Sequence, residues 1–301
     1  AELVATLEHS NGWHRDTAAR LLYERQDKSV VPALRDLVRT SSSAVAKLHA
    51  LAALHGLGNL DADIVLVALS ASEPVVRERG VFLADLLRDA LTWTPALAET
   101  LAGLSRDQDA RVRFQLAFCV QRVLAKPGLP TAVSQPLAAA YADLALRDTA
   151  DEWMAAALVS GPAPVISQIL FPALTRDMAL AERAPQLVTK LIELRAATVA
   201  PDQYAALLTF VAQPGTQAAW LKALGEGFKR AGTSINKVDT GKKLEAVFTR
   251  AAQAITDTSA SPATKLSSIE LLTVAPFAEA REPLTRALSV RSDERLQLAA
   301  I

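Results

Sequence analysis

The chain has 301 residues, half of them hydrophobic but only 5% aromatic, with 32 Lys and Arg balanced by 32 Asp and Glu. That length allows one to three domains, and a formal charge of zero argues against an extended nucleic-acid interface or a polybasic membrane anchor. A single cysteine excludes an internal disulfide, a CxxC redox pair, a cysteine-rich zinc site and a CxxCH haem attachment.

The first residues, Ala1-Glu2-Leu3-Val4, carry neither the basic region nor the apolar stretch of a signal peptide. From there apolar residues recur at helical spacing almost throughout, and no run of strand alternation stands out. Glu2 to Glu8 reads as the second helix of a repeat. Leu21, Leu22, Leu34, Leu37 and Val38 mark a first helix pair, and Leu51, Leu54, Val65, Leu66 and Leu69 mark the next. Helix starts are expected at the capping residues Asn11, Glu73-Pro74, Asp109, Asp151, Ser261-Pro262 and Ser292-Asp293. There a side-chain oxygen satisfies a first-turn amide, or proline fits because its missing hydrogen is not needed.

Two stretches, Met154 to Thr175 and Gln203 to Leu221, carry no charge over about twenty residues, the length that spans a bilayer. Each is interrupted, by Ser160-Gly161-Pro162-Ala163-Pro164 and by Gln213-Pro214-Gly215-Thr216, so each reads as two short buried helices.

The starts align. Asn11, Glu73, Asp109 and Ser261 each stand four residues before a cation: Arg15, Arg77, Arg113 and Lys265. Three positions further come Ala18, Gly80, Leu116 and Ser268. Leu7 and Leu69 each lie eight residues before Arg15 and Arg77. Equivalent positions are taken as Arg15, Lys47, Arg77, Arg113, Trp153, Lys190, Trp220, Lys265 and Arg295, a step of roughly 30 to 45 residues, the period of two-helix repeats. The expected fold is all-α: one right-handed α-solenoid, a superhelix over residues 1–301, of about eight helix pairs with a half-repeat at each end. Neither end shows a polar outer face, so the chain reads as a segment of a longer protein, with a natural end sealed by dimerisation as the alternative. The longest departure, Ala231 to Gly241, is a polar loop, a candidate contact or a solvated linker.

The acidic residue, Val-Arg, small residue and leucine order in Glu73 to Leu83 and Asp109 to Val120 resembles HEAT repeats. More specifically, Asn11 to Leu22, Lys47-Leu48-His49-Ala50-Leu51, Leu54 to Gly58 and Gly225 to Gly232 resemble the helical region of PVC-type haem-binding, dehydrogenase-like bacterial proteins. The resemblance implies HEAT-like two-helix repeats placed between a β-propeller and a cytochrome c domain in an exported, periplasmic protein. Neither of those parts is matched here: Cys119 is followed by Val120-Gln121-Arg122, so no haem motif is present.

Candidate chemistry is sparse. His9, His14, His49 and His55 cluster near the start, but their spacing does not converge three or four zinc ligands on one point, and packing or capping explains them better. Cys119 lies in an apolar helix with no histidine beside it to form a thiolate. Asp16 and Arg20, Glu73 and Arg77, and Asp109 and Arg113 are four apart, so each pair can meet on its helix, worth a few tenths of a kcal/mol. In HEAT-like stacks such residues also form ladders between repeats.

Lys229, Arg230, Lys237, Lys242 and Lys243 form the one dense basic patch, opposed by Asp239 and Glu245. Trp13, Trp93, Trp153 and Trp220 are spread over separate repeats, three of them near helix starts, where they are expected to pack.

The function expected is a non-catalytic scaffold or protein-interaction module that positions flanking domains of a redox protein, with no cofactor, metal or membrane span of its own. Its candidate interaction surface is Trp13, His14, His49, His55, Lys229, Arg230, Lys237, Lys242 and Lys243. A HEAT-like DNA-binding protein or DNA glycosylase, and a small-molecule or metal-binding enzyme, are the alternatives. A basic concave face would mark the first, and a convergent buried polar pocket the second.

Overall fold

The computed structural model describes residues 2–148, 150–176, 183–288 and 293–301. Nineteen α-helices and no strand occur among them. The chain divides into two compact units, 1–162 and 163–301.

The first unit contains α1 (Glu2–Thr6), α2 (Gly12–Arg25), α3 (Val31–Thr40), α4 (Ala44–Gly56), α5 (Ala62–Leu69), α6 (Pro74–Leu86), α7 (Pro95–Gly103), α8 (Ala110–Leu124), α9 (Thr131–Arg147) and α10 (Glu152–Leu158). Even-numbered helices pack on even-numbered ones, α2 on α4, α4 on α6, α6 on α8 and α8 on α10, while α1, α3, α5, α7 and α9 form the facing layer. Between the layers lies an aliphatic core that includes Leu7, Leu22, Leu34, Leu51, Leu54, Ile64, Leu69, Val81, Leu101 and Leu116, all buried. One pair could not bury its apolar stripe alone; the next pair in the stack covers it.

Capping residues do what the spacing predicts. Asn11, Asp109 and Asp151 accept hydrogen bonds from the amides of Trp13, Arg111 and Trp153, and Ser261 accepts from Thr264. Ser43 and Asp61 cap two further helices. Glu73 stands at a helix start but gives no capping bond; its carboxylate is used elsewhere. At the last start Asp293 caps Arg295, whereas Ser292 lies outside the described residues.

The second unit contains α11 (Ala163–Arg176), α12 (Pro185–Thr198), α13 (Tyr204–Val211), α14 (Ala218–Arg230), α15 (Ile235–Val238), α16 (Glu245–Thr256), α17 (Pro262–Leu272), α18 (Phe277–Ala287) and α19 (Glu294–Ala300). Helix α12 packs against α11 and α14, α14 reaches α17, and α16 to α19 pack on one another. Here the core is partly aromatic: Phe210 stacks on Trp220 at 5.7 Å and meets Phe171 edge-on at 5.1 Å.

Both uncharged stretches are broken where their turn residues stand. The first runs through α10 and α11, and the second through α13 and α14. No described helix is long and apolar enough to cross a membrane.

Close approach of helices explains two glycines. A Cβ on Gly80 would lie 2.9 Å from the backbone nitrogen of Leu69, and one on Gly227 would lie 2.4 Å from the carbonyl oxygen of Glu193. Neither backbone atom can step aside without moving its helix. Gly227→Ala therefore loses more to overpacking than the helix gains from alanine. Urea denaturation should show a net destabilisation of about 1–2 kcal/mol.

Candidate functional site

A row of cations runs along the starts of the even-numbered helices of the first unit, and Lys47, Arg77 and Arg113 in it tie neighbouring repeats together. Four residues after each cap stand Arg15, Lys47, Arg77 and Arg113. The Arg77 Nη1 donates to the carbonyls of Ala71 and Ser72 in its own turn, while Nε and Nη2 grip both oxygens of Asp107 at 2.6 and 2.9 Å. Arg113 repeats the arrangement, with Nη1 on the carbonyls of Asp107 and Gln108 and a two-point grip on Asp148. Lys47 reaches both oxygens of Glu73 at 3.0 and 3.1 Å. Two-point contacts of this kind are stronger than neutral hydrogen bonds and fix direction as well as distance.

Electrostatics follow from these contacts. Burial pushes the Asp107 carboxyl up, but hydrogen bonds from Arg77 and the Asp109 amide outweigh it and hold the group below the ordinary aspartate value. The bond from Lys47 lowers Glu73, and Asp107 and Asp148 raise Arg77 and Arg113 respectively.

The four-apart pairs expected within helices are not the ones that form. Arg20 pairs with Glu24 at 2.9 Å, Asp109 with Arg111 at 3.0 Å, and Glu73 with Lys47. Arg77 and Arg113 instead point along the stack, where a carboxylate of the next repeat waits near its helix start. Counting from the caps also places Ala155, not Trp153, level with Arg113. In the second unit the interhelical bridge has another register: Glu193 on α12 takes both Lys190 and Arg230, the latter from α14.

Trp13 and Trp153 therefore share a different row, two residues after their caps, together with Val45, Val75 and Arg111. Contrary to the packing role expected of them, Trp13 is 67% and Trp153 is 71% exposed. Trp220 is buried, and the Trp93 ring nitrogen donates to the Arg88 carbonyl at 2.8 Å.

Beside Trp13 the His14 ring lies 5.1 Å away edge-on, and the His9 ring is 4.3 Å from His14. His9 Nδ1 accepts from the Asn11 amide, which orders the turn into α2. His49 is separate from these rings, half-buried, and faces Asp16 at 3.8 Å; burial lowers its pKa, with Asp16 acting in the opposite sense. His55 is exposed. Of the four residues expected here, Trp13 and His14 are brought together. Among the described residues no three His, Cys, Asp or Glu side chains are placed to hold a metal ion. Cys119 is buried, and burial pushes its thiol up, away from the thiolate that nucleophilic chemistry needs.

In the second unit the expected basic patch is largely spoken for. Arg230 bonds Glu193, Lys242 pairs with Glu245 at 3.4 Å, and Lys243 Nζ donates to the Ala205 carbonyl and the Thr209 hydroxyl. Lys229 and Lys237 are exposed. The polar loop is not an open linker: it contains α15, and the Asp239 carboxylate accepts from the amides of Lys243 and Leu244.

Beside it runs a groove, a cavity of about 560 Å³ with Ile235, Leu244, Phe248 and Val274 on its walls and Glu245 and Glu279 at its polar side. The Glu279 Oε2 is buried without a hydrogen-bond partner. Burial first, then neighbouring Glu245, push this carboxyl above the ordinary glutamate value. Spacing gave no hint of this groove, since its walls come from separate helices.

Sequence patterns also passed over Phe82, Arg79 and Arg122, which are exposed on α6 and α8, and Phe114 and Phe118, which are half-buried on α8. The i, i+4 pair Phe114 and Phe118, off the stripe of Val112, Leu116 and Val120, was the available signal.

A family model described as HEAT repeats matches residues 1–84, the segment that holds Arg15, Lys47 and Arg77. HEAT repeats often mediate protein interactions and are generally non-catalytic. No curated protein matches the chain.

Two carboxyls of opposite character give opposite acid responses. Asp107→Asn removes one arm of the grip on Arg77 and should destabilise the first unit by about 1.5–3 kcal/mol at neutral pH. Because the native Asp107 carboxyl is lowered, its contribution is present above the ordinary aspartate value and lost as pH falls through the folded-state value. The difference between wild type and variant should shrink in acid. Glu279→Gln should instead raise stability at neutral pH. The native group is raised, so its penalty is felt above the folded-state value and vanishes once pH drops below the ordinary glutamate value. Denaturation curves for each variant at neutral and acid pH check both signs.

Proposed function

We propose that this chain is a non-catalytic protein-interaction scaffold, a module that positions the flanking domains of a larger, extracytoplasmic redox protein. The observation that carries the scaffold reading is the pair Trp13 and Trp153, both more than two-thirds exposed at equivalent helix starts in one unit. Each sits on a first turn whose amides are already capped, by Asn11 and Asp151. The side chains are thus held on ordered backbone and largely exposed. Large aromatic side chains presented this way are the residues that most often dominate binding energy at a protein interface.

The match to HEAT repeats over residues 1–84 supports a binding rather than a catalytic role. The redox setting rests on the resemblance of Asn11 to Leu22, Lys47 to Leu51, Leu54 to Gly58 and Gly225 to Gly232 to the helical region of PVC-type haem-binding proteins. In this reading the stacked pairs work by geometry, as a stiff spacer, and the electron-transfer chemistry belongs to the flanking domains.

Two experiments separate the parts of this reading. Translation of the flanking reading frame should reveal a propeller upstream and a CxxCH motif downstream; a stop codon at each boundary would sink the redox setting. Double replacement of Trp13 and Trp153 by alanine should leave the stability within about 0.5 kcal/mol. It should weaken calorimetric binding to the separately produced flanking domains by about tenfold or more. Unchanged affinity would remove the two tryptophans from the interface.

A further inference from the structure

Two cavities of the second unit meet at one pair of carboxyls. The groove of about 560 Å³ beside α15 and a neighbouring cavity of about 360 Å³ between α16 and α18 share Glu245, Phe248 and Glu279 on their walls. Both lie wholly within the second unit. Leu244 and Phe248 are buried beside the groove, and Ile235 and Val274 are half-buried. Apolar walls, a volume of this order and a few convergent polar groups are the marks of a small-molecule site.

Charges around the two cavities are matched, with one exception. Glu245 pairs with Lys242 at 3.4 Å, and Glu282 pairs with Arg286 one turn along its own helix. The Asp239 carboxylate is taken by the amides of Lys243 and Leu244. Glu279 is the exception. Half-buried on the first turn of α18, it forms no ion pair among the described residues, and its Oε2 is buried without a hydrogen-bond partner. Burial and the neighbouring Glu245 both raise this carboxyl, and Lys242 opposes them more weakly. A carboxyl left in this state costs stability, because it has given up water and gained no donor in return. Groups held at such a cost in a cleft are candidates for a partner outside the chain.

We propose that the groove binds a small organic amine, with its ammonium group against Glu279 and its apolar body against Ile235, Leu244, Phe248 and Val274. An ammonium supplies both things the carboxyl lacks, hydrogen-bond donors and an opposite charge. A neutral molecule would leave Glu279 without a counter-charge, and an anion would meet Glu245 and Glu279 with like charge. One cationic group suffices, since the other carboxylates at the site already have their partners.

Tryptamine, tryptophol and indole-3-propionate carry the same ring on a two-carbon arm and end in an ammonium, a hydroxyl and a carboxylate. In calorimetric titrations of the full chain at neutral pH, tryptamine should bind about tenfold tighter than tryptophol, with indole-3-propionate weakest. Glu279→Gln should bring tryptamine down to the level of tryptophol. Ile235→Ala should weaken both by a similar factor and leave their order unchanged. Thermal melts provide a second readout. Tryptamine should raise the Tm of the wild-type chain, because only the folded state holds the site. The Glu279→Gln chain should start no lower in Tm than wild type and gain nothing from tryptamine.

Equal affinities for tryptamine and tryptophol overturn the proposal, as does a preference for tryptamine that survives in the folded Glu279→Gln chain. Tighter binding of a short capped peptide with a single lysine, lost in Glu279→Gln, also overturns it, since the side chain of a partner protein would then be the occupant.

Discussion

The grip of a cation in one repeat on a carboxylate at the start of the next is the contact on which the first unit depends. Arg77 and Arg113 each do two things at once: one nitrogen closes the turn that precedes their own helix, and the other two hold a carboxylate one repeat further on. Asp107 links the steps, since its carboxylate receives Arg77 while its carbonyl receives Arg113. Local capping and long-range register are thereby one interaction. A stack built only on aliphatic contacts would slide at small cost, because hydrophobic burial has no direction; a planar guanidinium facing a carboxylate does.

That polar edge and the aliphatic core divide the labour. Alanine and leucine fill the layer between helices, and where two helices come closest the chain uses Gly80 and Gly227. With packing and register satisfied internally, aromatic rings at other positions are left for surfaces. Trp13, Trp153 and Phe82 are exposed, outside the buried core of their unit.

Much of the architecture was legible because it is local. The caps Asn11, Asp109, Asp151 and Ser261 announce their helices through the residue type that a free amide requires, and the breaks at Ser160-Gly161-Pro162 and Pro214-Gly215 stop helices by backbone chemistry. The cations Arg15, Lys47, Arg77 and Arg113 were found by their distance from the caps, but their partners were not. Sequence distance favours Glu73 for Arg77, whereas the helix geometry turns Arg77 toward Asp107, thirty residues on. Exposure was hidden for a similar reason: Trp153 looks like a core residue in a list of apolar positions, and only its place two residues after the cap puts it at the edge. The groove beside Glu279 gathers side chains from separate helices, which no short window contains.

The first rung differs from those that follow. Arg15 closes its turn on the carbonyls of His9 and Ser10, as its counterparts do, but its Nε has no partner. Where Asp107 stands in a later repeat, two residues before the cap, this one has Ser41, whose hydroxyl donates to Glu8. The two-point coupling between repeats therefore begins at Lys47, and α2 is joined to α4 by packing and by other bonds, among them Gln26 Nε2 to the Gly56 carbonyl. The junction beside the His9, His14 and Trp13 rings is thus the one in this stack that is made without a two-point grip of a cation on a carboxylate.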